Sequence, residues 1–235
     1  MTLAEVLADL QVHGTAQTKK THARHGAREP FFGVKVEHLK VLQKKIKRDH
    51  ALSLQLYDTG NSDAMYLAGL IAEPAKMTKA QFQKWAKGAY WSMLSCFTVP
   101  WVASESRFGR ELALAWMDSP KEQIAAAGWA TYSSLVAITP DEDLDLDEVT
   151  GLLERARDTL PAAANRAKSA MNNFIISVGG YVAPLLGRAK AIAKEVGPVE
   201  VDVGDTDCKV PNATAYLAKI EAMGRVGKKR KSAAC

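Results

Sequence analysis

The 235-residue sequence has few cysteines, no long apolar run and almost no strand-type alternation of apolar and polar residues. Its cysteines, Cys96, Cys208 and Cys235, are odd in number and unrelated in spacing, which argues against a disulfide framework and a cysteine-based zinc site. We therefore expect buried or free thiols. No stretch of about 18 uncharged apolar residues is present. Glu5 and Asp9 lie where a secretory signal would need basic and then apolar residues. These absences predict a cytoplasmic protein that does not bind membranes.

What the sequence does contain is helical periodicity along most of its length. The pattern predicts an all-α fold of antiparallel helical hairpins. Residues 1–198 form the predicted repeat domain, and residues 199–224 an irregular connection with the last helix of the same domain. Residues 225–235 are predicted to be a basic C-terminal tail. The segments that start at Ile124 and Ala167 have a similar texture 43 residues apart, a spacing typical of HEAT-like helical repeats.

Positive charge is concentrated at the two ends of the chain. The net charge is +5, but residues 1–50 alone hold ten Lys/Arg against five Asp/Glu, and the last twenty residues hold six against one. Such asymmetry favours a polyanionic partner, because each neutralised phosphate releases counterions. Basic tails that only keep a protein soluble give the same pattern.

Candidate nucleic-acid-binding residues follow from this distribution. Lysines lie opposite the apolar face of the helix predicted in "VKVEHLKVLQKKIKRD", basic residues fill the tail, and a serine and two adjacent asparagines interrupt apolar helices. Together the candidates are Lys44, Lys45, Lys47, Ser92, Asn172, Asn173, Lys228, Lys229 and Arg230. The asparagines either fasten a helix to a loop or face a polar groove. The segment "TKKTHARHGAREPFFG" is predicted to be a loop over a nucleic-acid backbone.

The order "FFGVKVEHLKVLQKKIK", "DAMYLAGLIA", "AYWSMLSC", "LALAWMDSPKEQIAAAGWATYSSL" resembles the DNA alkylation repair family, the AlkD-type HEAT-like repeat DNA glycosylases. The resemblance covers about residues 32–181. It implies a right-handed helical solenoid whose concave, basic groove cradles duplex DNA. Catalytic members excise cationic alkylated purines, stabilising the sugar oxocarbenium ion with a carboxylate.

Residue by residue, the resemblance gives two candidate catalytic positions. The family's Trp-Trp-Asp-Thr-Val-Asp matches "YWSMLS", so Trp91 keeps the groove tryptophan and Ser95 stands where the family has its catalytic Asp. Ala126 replaces an arginine, and Asn173 replaces a later tryptophan. Glu105 is the nearest carboxylate that could substitute, unless it only pairs with a nearby arginine.

We expect the stretch from Gly88 to Ser106 to be mixed. Helical spacing predicts Trp91, Ser92 and Ser95 at the groove, and Met93, Leu94 and Phe97 in the core. The strip "AAAGW" predicts either tight packing of a neighbouring helix or close approach of a ligand backbone.

The resulting hypothesis is a monomeric protein that binds damaged or distorted duplex DNA, without metal or small-molecule cofactor, as an atypical glycosylase or a lesion- or structure-recognising relative. The alternative is a non-catalytic helical-repeat scaffold for an acidic protein partner. Salt-dependent binding to DNA separates the two.

Overall fold

A computed structural model describes residues 1–234, and within that range the chain is helical with no strand. The predicted all-α fold is confirmed. The first helices are α1 (Leu3–His13), α2 (Ala16–Arg24), α3 (Val36–Ile46), α4 (His50–Asp58), α5 (Ser62–Ile71) and α6 (Lys79–Gly88). A π-helical turn, Leu94–Thr98, leads into α7 (Val99–Ser104). There follow α8 (Gly109–Met117), α9 (Glu122–Ile138), α10 (Leu146–Thr159), α11 (Asn165–Tyr181), α12 (Leu186–Val196) and α13 (Ala213–Ala222).

Local sequence determines where several helices begin. Thr2 and Glu5 form a capping box at α1, and each satisfies a backbone N–H that the helix cannot. Thr78 and Gln81 do the same at α6. Pro100 lies in the first turn of α7, where its missing N–H costs least.

From α4 onwards the helices form pairs arranged in two layers. The outer layer contains α4, α6, α8, α10 and α12, and the inner layer contains α5, the π turn with α7, α9, α11 and α13. Each inner helix packs against its outer partner and against the next inner helix. The predicted repeat is confirmed, because α9 and α11 occupy equivalent places in successive pairs. This stacking of helix pairs is the HEAT-like arrangement.

The strip "AAAGW" packs against a neighbouring helix. Ala126 and Ala127 are buried, and a Cβ added at Gly128 would lie 2.5 Å from the Met117 backbone nitrogen of α8. Of the two alternatives for this strip, tight helix packing is therefore the one observed.

The segment "TKKTHARHGAREPFFG" was wrongly predicted as a loop over its first half. Residues Ala16–Arg24 form α2, whose N-cap Thr15 accepts a hydrogen bond from the Thr18 N–H. The glycine and proline that indicated a loop come only after this helix, at Gly26 and Pro30. Both residues lie beyond the C-terminal end of α2, so they do not prevent the helix from forming.

The C-terminal residues do not form a free tail. The Gly227 N–H donates to the Gly180 carbonyl at the end of α11, and the Arg230 N–H donates to the Ala137 carbonyl near the end of α9. Ala233 is 1% exposed, and its N–H donates to Glu105. Residues 227–233 therefore cross the inner layer, and unpaired helix-end carbonyls explain why they are held there. Cys235, predicted as a thiol, lies outside the described residues.

Among the described residues, no single helix is long and apolar enough to cross a bilayer. The helical segments Asn165–Tyr181 and Ala183–Val196 are long and apolar enough only when taken together, and the chain bends by 115° between them.

Candidate nucleic-acid interface

The exposed face of the inner layer forms a groove made of two adjoining cavities. One lies over the π turn, α7, α9 and α11, and the other lies between α11 and α13. Asn173, Ser177 and Tyr181 line both cavities, which makes the groove continuous. The side chains of its floor are short, since Ala130, Ser133, Ser134 and Ala137 of α9 line the first cavity.

The charged side chains that line these two cavities are all basic. They are Lys219, Arg225, Lys228 and Arg230, and no carboxylate is among the described residues of the lining. A groove with neutral hydrogen-bonding groups on its floor and cations at its side suits a polyanion.

The cations continue along one edge of the groove, where the inner helices end. Residues 225–231 pass the C-terminal ends of α11 and α9, and Glu105, just after α7, holds Ala233. Glu105 also lies 3.9 Å from Arg48, which follows Lys47 at the end of α3. We call Lys47, Arg48 and the five basic residues of 225–231 the basic rim. The partial negative charge of the helix ends favours cations there.

Lys229 anchors the basic rim to the body. Its ammonium donates to the Val136 carbonyl of α9 at 2.8 Å and lies 2.8 Å from Asp141. Its side chain is 19% exposed. Lys228 and Lys231 are exposed. Lys229 therefore holds the segment in place, whereas Lys228 and Lys231 are accessible to a ligand.

The opposite edge of the groove is acidic. Residues 199–212, which are irregular as predicted, contain four Asp/Glu and one Lys. The Asn165 side chain pairs with the backbone of Asp202 at 2.6 and 2.7 Å. Asp205 lies 3.5 Å from Arg24 of α2. This segment connects the last helix pairs to the N-terminal helices across the side where the inner helices begin.

Trp91 does not line the groove. It is 4% exposed, its indole N–H donates to the Ser62 hydroxyl at 2.9 Å, and its ring lies 5.7 Å from that of His22 on α2. Burial lowers the pKa of His22, an effect that the nearby Asp63 opposes. The prediction that Trp91 is exposed at the groove was wrong because α2, which the sequence pattern did not reveal, covers it.

Ser95 is also inside the protein. It is 0% exposed, and its hydroxyl donates to the Gln123 side-chain oxygen of α9 at 2.8 Å. Leu94 lies in the core as predicted. Ser92 is partly exposed. The predicted groove position of Ser95 was therefore wrong, because α9 packs directly against the π turn.

Phe97 was predicted in the core and is instead 44% exposed in the groove. The cause is the π turn, in which the Val99 N–H bonds to the Leu94 carbonyl. A π turn rotates less per residue than an α turn, so a residue three positions after Leu94 no longer shares its face. Pro100 favours this distortion, because it cannot supply the N–H that an α-helix would need.

Two alternatives were predicted for the adjacent asparagines, and each residue follows one of them. Asn172 is 0% exposed and donates to the Pro211 carbonyl at 2.9 Å, so it fastens α11 to the acidic edge. Asn173 is exposed and lines the groove.

The predicted lysines of α3 do not act as one group. Lys47 lies in the basic rim, whereas Lys45 faces α1. There the Thr2 backbone, and to a smaller extent Lys45, lower the pKa of Glu5. Lys44 is exposed near the end of α3. Of the three, Lys47 has the position best suited to a ligand in the groove, and the DNA-binding roles of all the candidate residues stay predictions.

Three potential metal ligands that the sequence analysis did not select meet at α1 and α3. His38 Nε2 and His13 Nδ1 lie 2.6 and 3.2 Å from the same Asp9 oxygen. The two imidazoles stack at 3.6 Å with only 16° between their planes. The ligand atoms of Asp9, His13 and His38 all lie within 4.8 Å of one another, and hydrogen bonds to Asp9 link the two imidazoles.

Comparison with known proteins gives consistent results. A family model described as DNA alkylation repair enzyme matches residues 6–194. Uncharacterized proteins of Listeria innocua and Listeria monocytogenes are each 33% identical over 225 residues, which cover 93% of this chain and 97% of theirs.

A solved structure is similar over almost its whole length. It is 39% identical, covers 98% of both chains and superposes with a TM-score of 0.91. That structure is described as a new family of proteins related to the HEAT-like repeat DNA glycosylases, with affinity for branched DNA structures. On the extent of the model match and of these similarities, the chain belongs to the DNA alkylation repair enzyme family.

Proposed function

We propose that this protein binds DNA along the groove of its inner layer and prefers branched DNA to linear duplex. The similarity to a structure from a family with affinity for branched DNA, at 39% identity over 98% of both chains, supports the preference. The single observation that carries the proposal is the basic rim, which runs beside a groove whose described lining has no carboxylate.

In this proposal the rim and the groove have separate tasks. The exposed cations of the rim contact phosphates, which fixes the position of the DNA without reading its sequence. The neutral floor, with Ser134, Asn173 and Ser177, contacts sugars or bases. The acidic edge on the other side disfavours a second phosphate backbone there, which restricts how the strands can leave the groove.

We further propose that the protein recognises DNA without excising alkylated purines at an appreciable rate. Ser95, which matches the position of the catalytic carboxylate, is neutral and makes its hydrogen bond to Gln123 away from the groove. Loss of one preorganised charged group typically costs about a hundred- to a thousandfold in rate.

Charge reversal at Lys47 and Lys228 tests the basic rim. The double variant Lys47→Glu/Lys228→Glu is expected to bind a four-way DNA junction roughly tenfold to a hundredfold more weakly at 0.15 M salt, because it removes two phosphate contacts. Each lost contact should also reduce the salt slope by about 0.9. Fluorescence anisotropy at several salt concentrations measures both quantities.

The matched control is Lys87→Glu/Lys194→Glu, which removes the same charge from exposed positions on the outer helices α6 and α12. Equal loss of affinity in both variants would show that only net charge matters. If the wild-type protein bound no DNA, a scaffold for an acidic protein partner would become the better account.

A further inference from the structure

Phe97 is one feature of the groove that phosphate binding does not explain. It is the only phenylalanine among the exposed large apolar side chains of residues 1–234. The π turn places its ring in a groove whose charged lining residues are all basic. An exposed aromatic ring offers a stacking surface to a flat base, which a phosphate cannot use.

The ring of Phe97 has a firm support. Trp101, one α-helical turn later, lies 5.7 Å away at a tilt of 58° and is 6% exposed. Trp101 in turn meets Tyr66 of α5 edge-on at 5.7 Å. Because the aromatic rings behind it are packed, one face of Phe97 is presented to the groove with little conformational freedom left to lose on binding.

The cavity in front of Phe97 has the size and the polar groups for one flat heterocycle. Its volume is about 180 Å³, that of about six waters, and it opens into the rest of the groove, so one base can enter it. Asn173, which lines the same cavity from α11, offers both a donor and an acceptor. Arg230 lies at the same cavity and supplies a positive charge for the phosphate attached to such a base.

We propose that Phe97 and Asn173 form a receiving site for one unpaired nucleobase, which stacks on the Phe97 ring and hydrogen-bonds to the Asn173 amide. This inference rests on the proposed function and deepens it, since branched DNA with unpaired nucleotides at the branch offers such a base and intact linear duplex does not. Stacking on an aromatic side chain accepts any of the four bases.

Phe97→Ala tests the site. Its affinity for a three-way junction with two unpaired nucleotides at the branch is expected to fall roughly 5- to 100-fold, the range of one lost base–aromatic stack. Affinity for linear duplex of equal length should change less than about twofold, and the salt slope should not change, because no phosphate contact is lost. Phe97→Trp should retain the wild-type preference.

Two controls keep the outcomes distinct. Val41→Ala removes another exposed apolar side chain, on α3, and should alter neither affinity. Photocrosslinking from 5-iodouracil at the unpaired position, followed by mass spectrometry, should label the peptide that contains Phe97.

If the wild-type protein prefers the junction and Phe97→Ala binds it equally well, the base site is refuted and the proposed function stands. If the wild-type protein shows no preference for branched DNA, the proposed function is refuted, and the base site that rests on it is refuted as well.

Discussion

Ser95→Asp is expected to destabilise the protein by about 3–5 kcal/mol at pH 7, because it places a carboxylate in the core without a cation to pair with it. Ser95 is fully buried, and its one side-chain partner from another helix is the neutral Gln123. The substitution therefore damages the fold, and we expect no gain of glycosylase activity from it.

The pH dependence of this variant gives a second readout. Burial would raise the pKa of the introduced carboxyl above its unfolded value of about 3.9. The deficit relative to wild type should then be small below about pH 4, where the carboxyl is protonated in both states, and should grow as the pH rises towards the raised folded pKa.

Urea denaturation at pH 4 and pH 7.5 measures this difference, with Ser95→Asn as the uncharged control of similar size. A variant as stable as wild type at both pH values would mean that residue 95 is open to water. The structural account of the stretch from Gly88 to Ser106 would then be incorrect.

Removal of residues 228–235 is expected to lower both the melting temperature and the affinity for DNA. It deletes the Lys229 contacts with Val136 and Asp141, the Arg230 bond to Ala137 and the buried Ala233. We expect a net loss of about 1–3 kcal/mol, since the hydrogen bonds contribute about 0.5–1.5 kcal/mol each and the ordering entropy of the segment offsets part of them. For a chain of this length that corresponds to several degrees.

Point substitutions separate the two effects of this truncation. Lys229→Met should lower the melting temperature, because it breaks the anchor to α9. Lys228→Ala/Lys231→Ala should weaken DNA binding without a thermal shift, because both side chains are exposed. A truncated protein with unchanged melting temperature and unchanged DNA affinity would contradict both the packing of this segment and its place in the interface.

The fold could be predicted from the sequence because its signals are local or periodic. Helical periodicity along most of the chain predicted the all-α fold, and the 43-residue spacing of α9 and α11 predicted stacked pairs. The helix α2 was missed because it has no buried residue, so its sequence contains no apolar stripe to detect.

The site was harder to predict than the fold. Phe97 was assigned to the core because α-helical geometry was assumed across a π turn, although Pro100, three residues later, signals a distortion. The burial of Trp91 and Ser95 depends on α2 and on Gln123, which are distant in sequence. The docking of residues 227–233 depends largely on carbonyls of α9 and α11 and on a carboxylate oxygen of Glu105. The backbone carbonyls among these acceptors leave no pattern in the sequence of side chains.

The central claim is that the groove and the basic rim bind branched DNA. The most direct measurement is the affinity of the wild-type protein for a four-way junction and for linear duplexes made from the same strands, determined between 50 and 200 mM salt. We predict tighter binding to the junction, with log K falling linearly with log salt by about 0.9 for each rim cation in contact. Equal affinity for both DNAs, or binding that salt does not weaken, would contradict the account.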